Sequence, residues 1–339
     1  MAADLATDPA AVQAFIDKMH QQHGKDKAEV ARLLAQARHQ QEILDSMNRR
    51  AEKHKAGHEY MAIFMTQSRI DKGVAFWSAN RELLEKAERE FGVPAQVIVA
   101  ILGVETIYGE RTGSMRVLDA LYTLAFNYPK RAEFFSKELM QFILLAEEAN
   151  FDPTQVTGSY AGAMGAAQFI SSSYRHYAID YDKDGHTDLW KSPADMIGSI
   201  ANYLKLNGWQ AQDPVAAKRH QGLMFAEPGR ALKEVVLPTD KPQHSLKDLA
   251  AQGVLPASPI QSQSPAYLLA FERADGSFDY WLGLHNFYVI TRYNRSPLYA
   301  MAVYQLGEAI RQQRQASADP ANPPTNPPAK PKETPFVFH

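Results

Sequence analysis

Ala95-Gln-Val-Ile-Val-Ala-Ile-Leu-Gly-Val104 runs directly into Glu105-Thr-Ile-Tyr-Gly109. The first stretch is apolar nearly all round, and a helix with that pattern is buried on every side. Gly92-Val-Pro94 breaks the chain before it, and Pro94 restarts it. Glu105 closes the run. A carboxylate set against an apolar wall loses solvation, so its acid form is favoured and its pKa is expected to rise. A general acid working near neutral pH needs that shift. The competing reading is structural: Glu105 pairs with Arg111 or Arg116 as a salt bridge, since ion-pair networks also perturb carboxyl groups.

Outward from this run, the N-terminal side reads as helices. Asp8-Pro9 has the form of an N-cap followed by proline at the first helical position. Val12, Phe15, Ile16 and Met19 follow at helical spacing, and Gly24 is a stop. Residues 25–53 read as one polar helix whose sparse apolar stripe (Val30, Leu33, Leu34, Ile43, Leu44) marks a solvated outer layer. Another amphipathic helix covers 71–91. On the C-terminal side, the turn Asn127-Tyr-Pro129 precedes a helix over 131–148. Residues 157–170 are rich in Gly and Ala, which lets a backbone or a ligand approach closely. An acidic loop spans 180–195, and a helix ends near Gly208-Trp209. Ala266–Phe271 and Phe278–Leu284 are strand-like, joined by the hairpin signal Ala274-Asp-Gly-Ser277. Phe287–Ile290 is a third candidate strand, and Ser245-Leu-Lys-Asp248 is a capping pattern for a short helix. Residues 297–313 return to helix. The proline-rich tail from Ala316 reads as extended and disordered. The fold class is mainly α, of α+β type.

Composition bounds the function. The chain has 339 residues, 45% hydrophobic and 22% charged, which is the make-up of a folded protein with two or three packed units. A net charge of −2 gives no global basic field for nucleic acid. The absence of cysteine excludes disulfides, thiolate metal sites, a cysteine nucleophile and a lipid-modified N-terminal cysteine. The start lacks a basic and then apolar leader, and no apolar run approaches the roughly 20 residues that span a bilayer. The chain as given is expected to be soluble, with no membrane anchor encoded.

Five segments then carry a resemblance. They are Gly103-Val-Glu-Thr-Ile-Tyr-Gly109, Leu118-Asp-Ala-Leu121, Phe126-Asn-Tyr-Pro-Lys-Arg-Ala-Glu-Phe-Phe135, Gly158-Ser-Tyr-Ala-Gly-Ala-Met-Gly-Ala-Ala-Gln-Phe169 and Thr291-Arg-Tyr-Asn-Arg-Ser296. In this order they resemble the membrane-bound lytic transglycosylase B family, glycoside hydrolase family 103, over residues 60–312. The resemblance implies a lysozyme-like helical core, an N-terminal helical domain and a small antiparallel β-rich domain. The expected boundaries are 1–92 for the N-terminal domain, joined by a C-terminal helix over 297–314. The catalytic core takes 93–210 and the β-rich domain 211–290. Residues 291–296 return to the cleft, and 316–339 form the tail.

The resemblance also implies the chemistry. The family cuts the β-1,4 bond between N-acetylmuramic acid and N-acetylglucosamine in peptidoglycan without water. The muramyl C6 hydroxyl attacks its own C1 and leaves a 1,6-anhydro end. By similarity Glu105 protonates the leaving oxygen and then takes the proton from the C6 hydroxyl. Ordinary glycosidases need two carboxylates, about 5–5.5 Å or 6.5–9.5 Å apart. The segment 157–170 offers none; neutral Ser159, Tyr160 and Gln168 stand there instead. Asp119, the nearest other carboxylate in sequence, reads as a helix cap.

Tyr203, Tyr293, Asn294 and Tyr299 match positions lining the family's sugar cleft, and tyrosine suits sugars because it joins an apolar ring to a polar handle. For each tyrosine the competing reading is core packing. Lys130 and Arg131 match two arginines that meet the peptide stem or acidic sugar groups; the lysine keeps the charge but lacks the bidentate fork. Tyr60 matches a cleft tyrosine upstream, although Met61-Ala-Ile-Phe64 lacks the basic residues of the family pattern.

Asp180-Tyr-Asp-Lys-Asp-Gly-His-Thr-Asp188 places Asp at loop positions 1, 3, 5 and 9 and Gly at 6, an EF-hand-like arrangement of oxygen ligands for calcium. The bland alternative is an exposed acidic turn. Position 12 is Lys191, so the loop departs from the standard pattern. By resemblance the loop is longer and closes with Asp195, one residue further along than the family spacing. His186 would contribute its backbone carbonyl, beside the side chains of Asp180, Asp182, Asp184 and Asp195. One unpaired loop points to a structural Ca2+ staple, not a sensor, and no catalytic cofactor is expected.

The expected protein is therefore a monomeric lytic transglycosylase of the Gram-negative periplasm. Its partner is the peptidoglycan glycan strand, with other cell-wall enzymes as family-level partners and no nucleic acid. Two alternatives stay open: a muramidase that hydrolyses the same bond, and a non-catalytic peptidoglycan-binding module.

Overall fold

The computed structural model describes residues 7–52, 56–218, 242, 244–251, 254–260 and 264–318. Of the tail read from Ala316, residues 316–318 are helical and end the last helix, and the rest lies outside the described residues. Six helices open the described chain: α1 (Pro9–His23), α2 (Lys27–Leu34), α3 (Gln41–Glu52), α4 (Gly57–Phe64), α5 (Gln67–Ala79) and α6 (Arg81–Phe91). The central part holds α7 (Ala95–Thr106), α8 (Val117–Asn127), α9 (Ala132–Glu148), α10 (Ser171–Tyr177) and α11 (Pro193–Leu206). Then come α12 (Leu246–Ala251), α13 (His285–Tyr293) and α14 (Pro297–Ala318). Strands are short: β1 (Met115–Arg116) pairs antiparallel with β2 (Thr157–Gly158). In the second sheet β5 (Phe278–Gly283) lies between β3 (Ala216–Lys218) and β4 (Tyr267–Glu272), antiparallel to both.

The apolar run behaves as its pattern demands. From Val97 to Val104 every residue of α7 is buried, and α5, α6, α11 and α14 pack around it. Each fully buried aliphatic side chain contributes about 1.5–3 kcal/mol, so α7 is the element on which the others assemble. Asp8 caps α1 by accepting from the Ala10 N–H, and Gly24 ends it at φ 66°. The hairpin forms as expected, with Tyr267 opposite Gly283 and Glu272 opposite Phe278. Its own small core of Leu249, Val254, Ala266, Leu282 and Leu284 sits beneath it. Ser245 and Asp248 close a reciprocal cap on α12, with Asp248 N–H donating to Ser245 Oγ at 3.0 Å. Among the described residues no helix is long and apolar enough to cross a membrane.

Four expectations are corrected. Residues 25–53 form two helices, because the chain at Arg38 and Gln40 is pinned from outside. The Arg38 N–H donates to the Asp119 carboxylate at 2.9 Å, and the Gln40 N–H to Thr123 Oγ1 at 3.0 Å. Asp119 is therefore no cap of α8, whose N-cap position is Arg116 with no side-chain capping bond. It is buried, ties α8 to the N-terminal layer and lies 3.4 Å from the Arg116 guanidinium. The helix read over 71–91 is interrupted at Asn80, whose amide turns back to the Phe76 carbonyl. Phe287–Ile290 belongs to α13, not a strand. A four-residue apolar run is too short for its period to separate the two, and buried Asn286 fixes the helix start through bonds to Gln210 and to the Asp213 carbonyl.

Candidate active site

Glu105 sits one residue from the end of α7, where the helix stops abruptly. Ile107 and Tyr108 both adopt left-handed backbone, φ 53° and 61°, and Gly109 follows at 92°. A β-branched residue there is strained by roughly 1–2 kcal/mol. Three contacts hold the strained turn. The Tyr108 N–H donates to the Leu102 carbonyl, 3.0 Å, which closes the helix end. The Tyr108 hydroxyl reaches the Arg69 carbonyl on α5, 2.8 Å. It can do so because Gly73 and Gly103 have no side chain, and a Cβ on either would come within 2.6 Å of that hydroxyl. Thr106, buried, donates from Oγ1 to the Ala166 carbonyl (2.9 Å) and accepts from the Gly109 N–H (3.0 Å).

Thr106 thereby brings the Gly/Ala-rich segment up to Glu105. That segment is folded on itself by neutral groups. Ser159 Oγ accepts from the N–H of Ala163 at 3.0 Å and of Ala161 at 3.3 Å. Gln168, at φ 50°, donates its side-chain amide to the carbonyls of Thr112 and Gly165, both 3.0 Å. Gly113 is where the backbones come closest; a Cβ there would lie 2.1 Å from the Gly158 oxygen. Ser159 and Gln168 thus shape the wall of the site through the backbone.

The tyrosines assemble on the other side. Tyr299, on α14, donates to Glu105 Oε1 at 2.7 Å. Burial, then the Glu105 charge, hold its phenol well above the ordinary tyrosine range, so it remains a donor. Tyr293 stacks on Tyr299, centroids 6.4 Å apart and planes 8° apart, and donates to the Ala167 carbonyl at 2.6 Å. Tyr203 packs 4.8 Å from Tyr293 and donates to the Arg292 carbonyl at 2.6 Å. Tyr60, on α4, is close enough for its electrostatic effect to reach Tyr299. In Tyr203, Tyr293 and Tyr299 the ring packs in the core and the hydroxyl is engaged by the Arg292 carbonyl, the Ala167 carbonyl and the Glu105 carboxyl group. Asn294 follows Tyr293 as the C-cap of α13.

Lys130 and Arg131 stand exposed on the 3₁₀ turn Pro129–Arg131, where the Arg131 guanidinium lies 4.1 Å from the ring centre of Phe134. Of the two proposed salt-bridge partners of Glu105, Arg116 is engaged by Asp119 and the Gln36 carbonyl. Sequence reasoning missed Thr106, Tyr108 and the Arg69 carbonyl. The paired glycines 73 and 103 were the available signal, because each clears space for the same hydroxyl.

In the acidic loop, Asp180, Asp182 and Asp184 bring one carboxylate oxygen each within 4.8 Å of the others. Three hard oxygen donors at this spacing suit Ca2+. Lys183 at φ 63° and Gly185 at φ 94° bend the loop around them. The Asp180 carboxyl, despite partial desolvation, is held below its ordinary range by N–H donors from Gly185, Lys183 and Asp184. His186 donates its N–H to Asp184, 2.8 Å. Asp195 does not belong to this group of three. It is fully buried behind the cluster, and its two oxygens accept from the N–H of Tyr181 and of Asp188, both 2.7 Å. Burial pushes its pKa up, the two N–H donors pull it down, and Asp182 and Asp180 push it up again. Asp195 clamps both ends of the loop.

Comparison with known proteins completes the picture. The chain is 43% identical to the membrane-bound lytic murein transglycosylase B of Escherichia coli K12, over 91% of this chain and 85% of that one. It superposes on the X-ray structure of catenated lytic transglycosylase SltB1 from Pseudomonas aeruginosa with a TM-score of 0.83 at 45% identity, covering 91% and 98% of the two chains. The structure of Escherichia coli lytic transglycosylase Slt35 in complex with calcium matches with a TM-score of 0.79 at 42% identity, covering 93% and 96%. The mainly helical, lysozyme-like fold is thus shared. The transglycosylase SLT domain matches residues 7–308, and the chain belongs to that family.

Proposed function

We propose that the protein is a peptidoglycan lytic transglycosylase in which Glu105 acts alone, as acid and then as base. The observation that carries this reading is the Tyr299–Glu105 hydrogen bond, at the end of a buried helix and opposite a wall of neutral groups. The Glu105 carboxyl group gives its proton to the glycosidic oxygen as the muramyl C1–O bond breaks. The positive charge developing on the ring meets one carboxylate, and the fixed dipoles of the 157–168 segment flank it. The carboxylate then takes the C6 hydroxyl proton as that oxygen bonds to C1. Glu105 ends in its starting state, no water is consumed, and the products are a 1,6-anhydromuramic end and a free N-acetylglucosamine end. Tyr299 keeps the carboxyl plane fixed through both steps. Tyr60, Tyr203, Tyr293, Asn294, Ser159 and Gln168 line the sugar path, and Lys130 and Arg131 offer charge to peptide stems.

Asp180, Asp182 and Asp184, with the His186 carbonyl, would hold Ca2+ in the acidic loop, and Asp195 would support them from behind. Calcium would neutralise three converging carboxylates and so staple the loop between the cleft and α11. The domain limits read from the sequence, action as a monomer and a periplasmic site belong to the same proposal. The test is mass analysis of products from purified sacculi. Wild type is expected to release anhydro-muropeptides and Glu105→Gln essentially none. Equal release by the variant would remove Glu105 from the chemistry, and intact sacculi bound by wild type would mark a non-catalytic module.

A further inference from the structure

Tyr203 also lines a cavity of about 730 Å³ that Glu105 does not border, within the range of sites that hold small ligands. It opens between the second half of α9 and α10. Gln141 lies nine residues past Ala132 on α9, about 14 Å along the axis at the rise of an α-helix, so this is not the neighbourhood of Lys130 and Arg131.

The lining argues for one class of ligand. Two rings form one wall: Tyr177 packs 4.4 Å from Tyr203, and both border the cavity. His176 stands edge-on to Tyr177 at 4.5 Å. The cation of the site is already spent. Arg175 reaches Glu148 with Nε at 2.7 Å and Nη2 at 2.5 Å, and its Nη1 meets the Gln141 amide oxygen. An anion would confront Glu148, and a hydrophobic ligand would strand Ser173, Gln141 and the ion pair. A neutral ligand with flat faces and many hydroxyls fits both walls, which is the chemistry of a sugar ring.

Position identifies whose sugar it is. Tyr299, Tyr293, Tyr203 and Tyr177 form an unbroken series of ring contacts from Glu105 to the cavity. We infer that the cavity is a distal saccharide subsite, which binds a further unit of the same β-1,4-linked glycan strand whose cleavable bond lies at Glu105. This rests on the glycan reading of the cleft. The subsite gives the enzyme a preference for long strands over short ones, because only a long strand reaches both places.

The test uses the inactive full-length Glu105→Gln protein and β-1,4-linked N-acetylglucosamine oligomers, a hexamer and a trimer, in binding titrations. The hexamer is expected to bind at least about tenfold more tightly than the trimer. Adding Ser173→Arg, which fills the cavity, should remove most of that advantage. His176→Ala, a milder change on the exposed rim, should reduce it by about threefold and guards against a misfolded Ser173 variant. A hexamer-to-trimer ratio that neither substitution changes would overturn the subsite. The catalytic reading fails separately: if the ratio responds but wild type yields no anhydro ends, the subsite stands and the mechanism falls.

Discussion

The cleft segment 157–168 and the acidic loop 180–195 are both irregular, and both are shaped by left-handed residues and side-chain-to-backbone hydrogen bonds. They differ in charge. The cleft segment is built with neutral groups, Ser159, Gln168 and the Tyr293 hydroxyl, each bonded to a backbone partner. Its bonds to Thr106, Thr112, Leu189 and Tyr293 are all neutral. The loop converges three carboxylates on one another and buries a fourth behind them. Like charges at such distances repel, and in the proposed function a cation would offset that repulsion. On the proposed function, one region is preorganised for a reaction that makes and loses charge at a single carboxyl group, and the other would be organised around a charge that arrives.

Four perturbations break or sharpen this contrast. Glu105→Gln should lower the rate on sacculi by about 10²–10⁴-fold, the usual worth of a general acid–base group, measured as released anhydro-muropeptide. Asp195→Ala should destabilise the fold by about 2–3 kcal/mol in urea titration, because the Tyr181 and Asp188 N–H groups lose their acceptor inside the protein. Tyr299→Phe should cost about tenfold in kcat with little change in KM, since it removes a hydrogen bond that orients the Glu105 carboxyl without emptying the sugar path. Chelation should have the smallest effect: calcium at several times its Kd adds about 1 kcal/mol, read as a melting temperature lower by a few degrees in chelator. Activity well below that temperature should stay unchanged, because the loop's bonds to the cleft come from the Leu189 carbonyl, which accepts from the Ala166 N–H, and from the Trp190 indole, which donates to the Thr157 carbonyl, both past the three converging aspartates. A fall in kcat on chelation would erase the contrast.

Legibility followed how local the determinants were. The α7 run, the hairpin at Ala274–Ser277 and the Ser245 cap were readable because neighbours in sequence decide them. The break after α2 was not, because its cause is Asp119 and Thr123, more than eighty residues away. The strand-or-helix error at Phe287–Ile290 has the opposite source: the local pattern is real, but four apolar residues are too few to show a period. In the site, Glu105 and the tyrosines were legible as residue types. The bond between Glu105 and Tyr299 was not, since it joins α7 to α14 across the whole core. Asp195 was legible as a carboxylate near the loop, but nothing local said that it faces two N–H groups from behind.

The central claim is that Glu105 serves both proton transfers while the substrate supplies the nucleophile. Digestion of sacculi in ¹⁸O-labelled water measures this directly. The account predicts 1,6-anhydro ends that carry no ¹⁸O. Reducing muramic ends that carry one ¹⁸O per cut would contradict it and make the protein a hydrolysing muramidase.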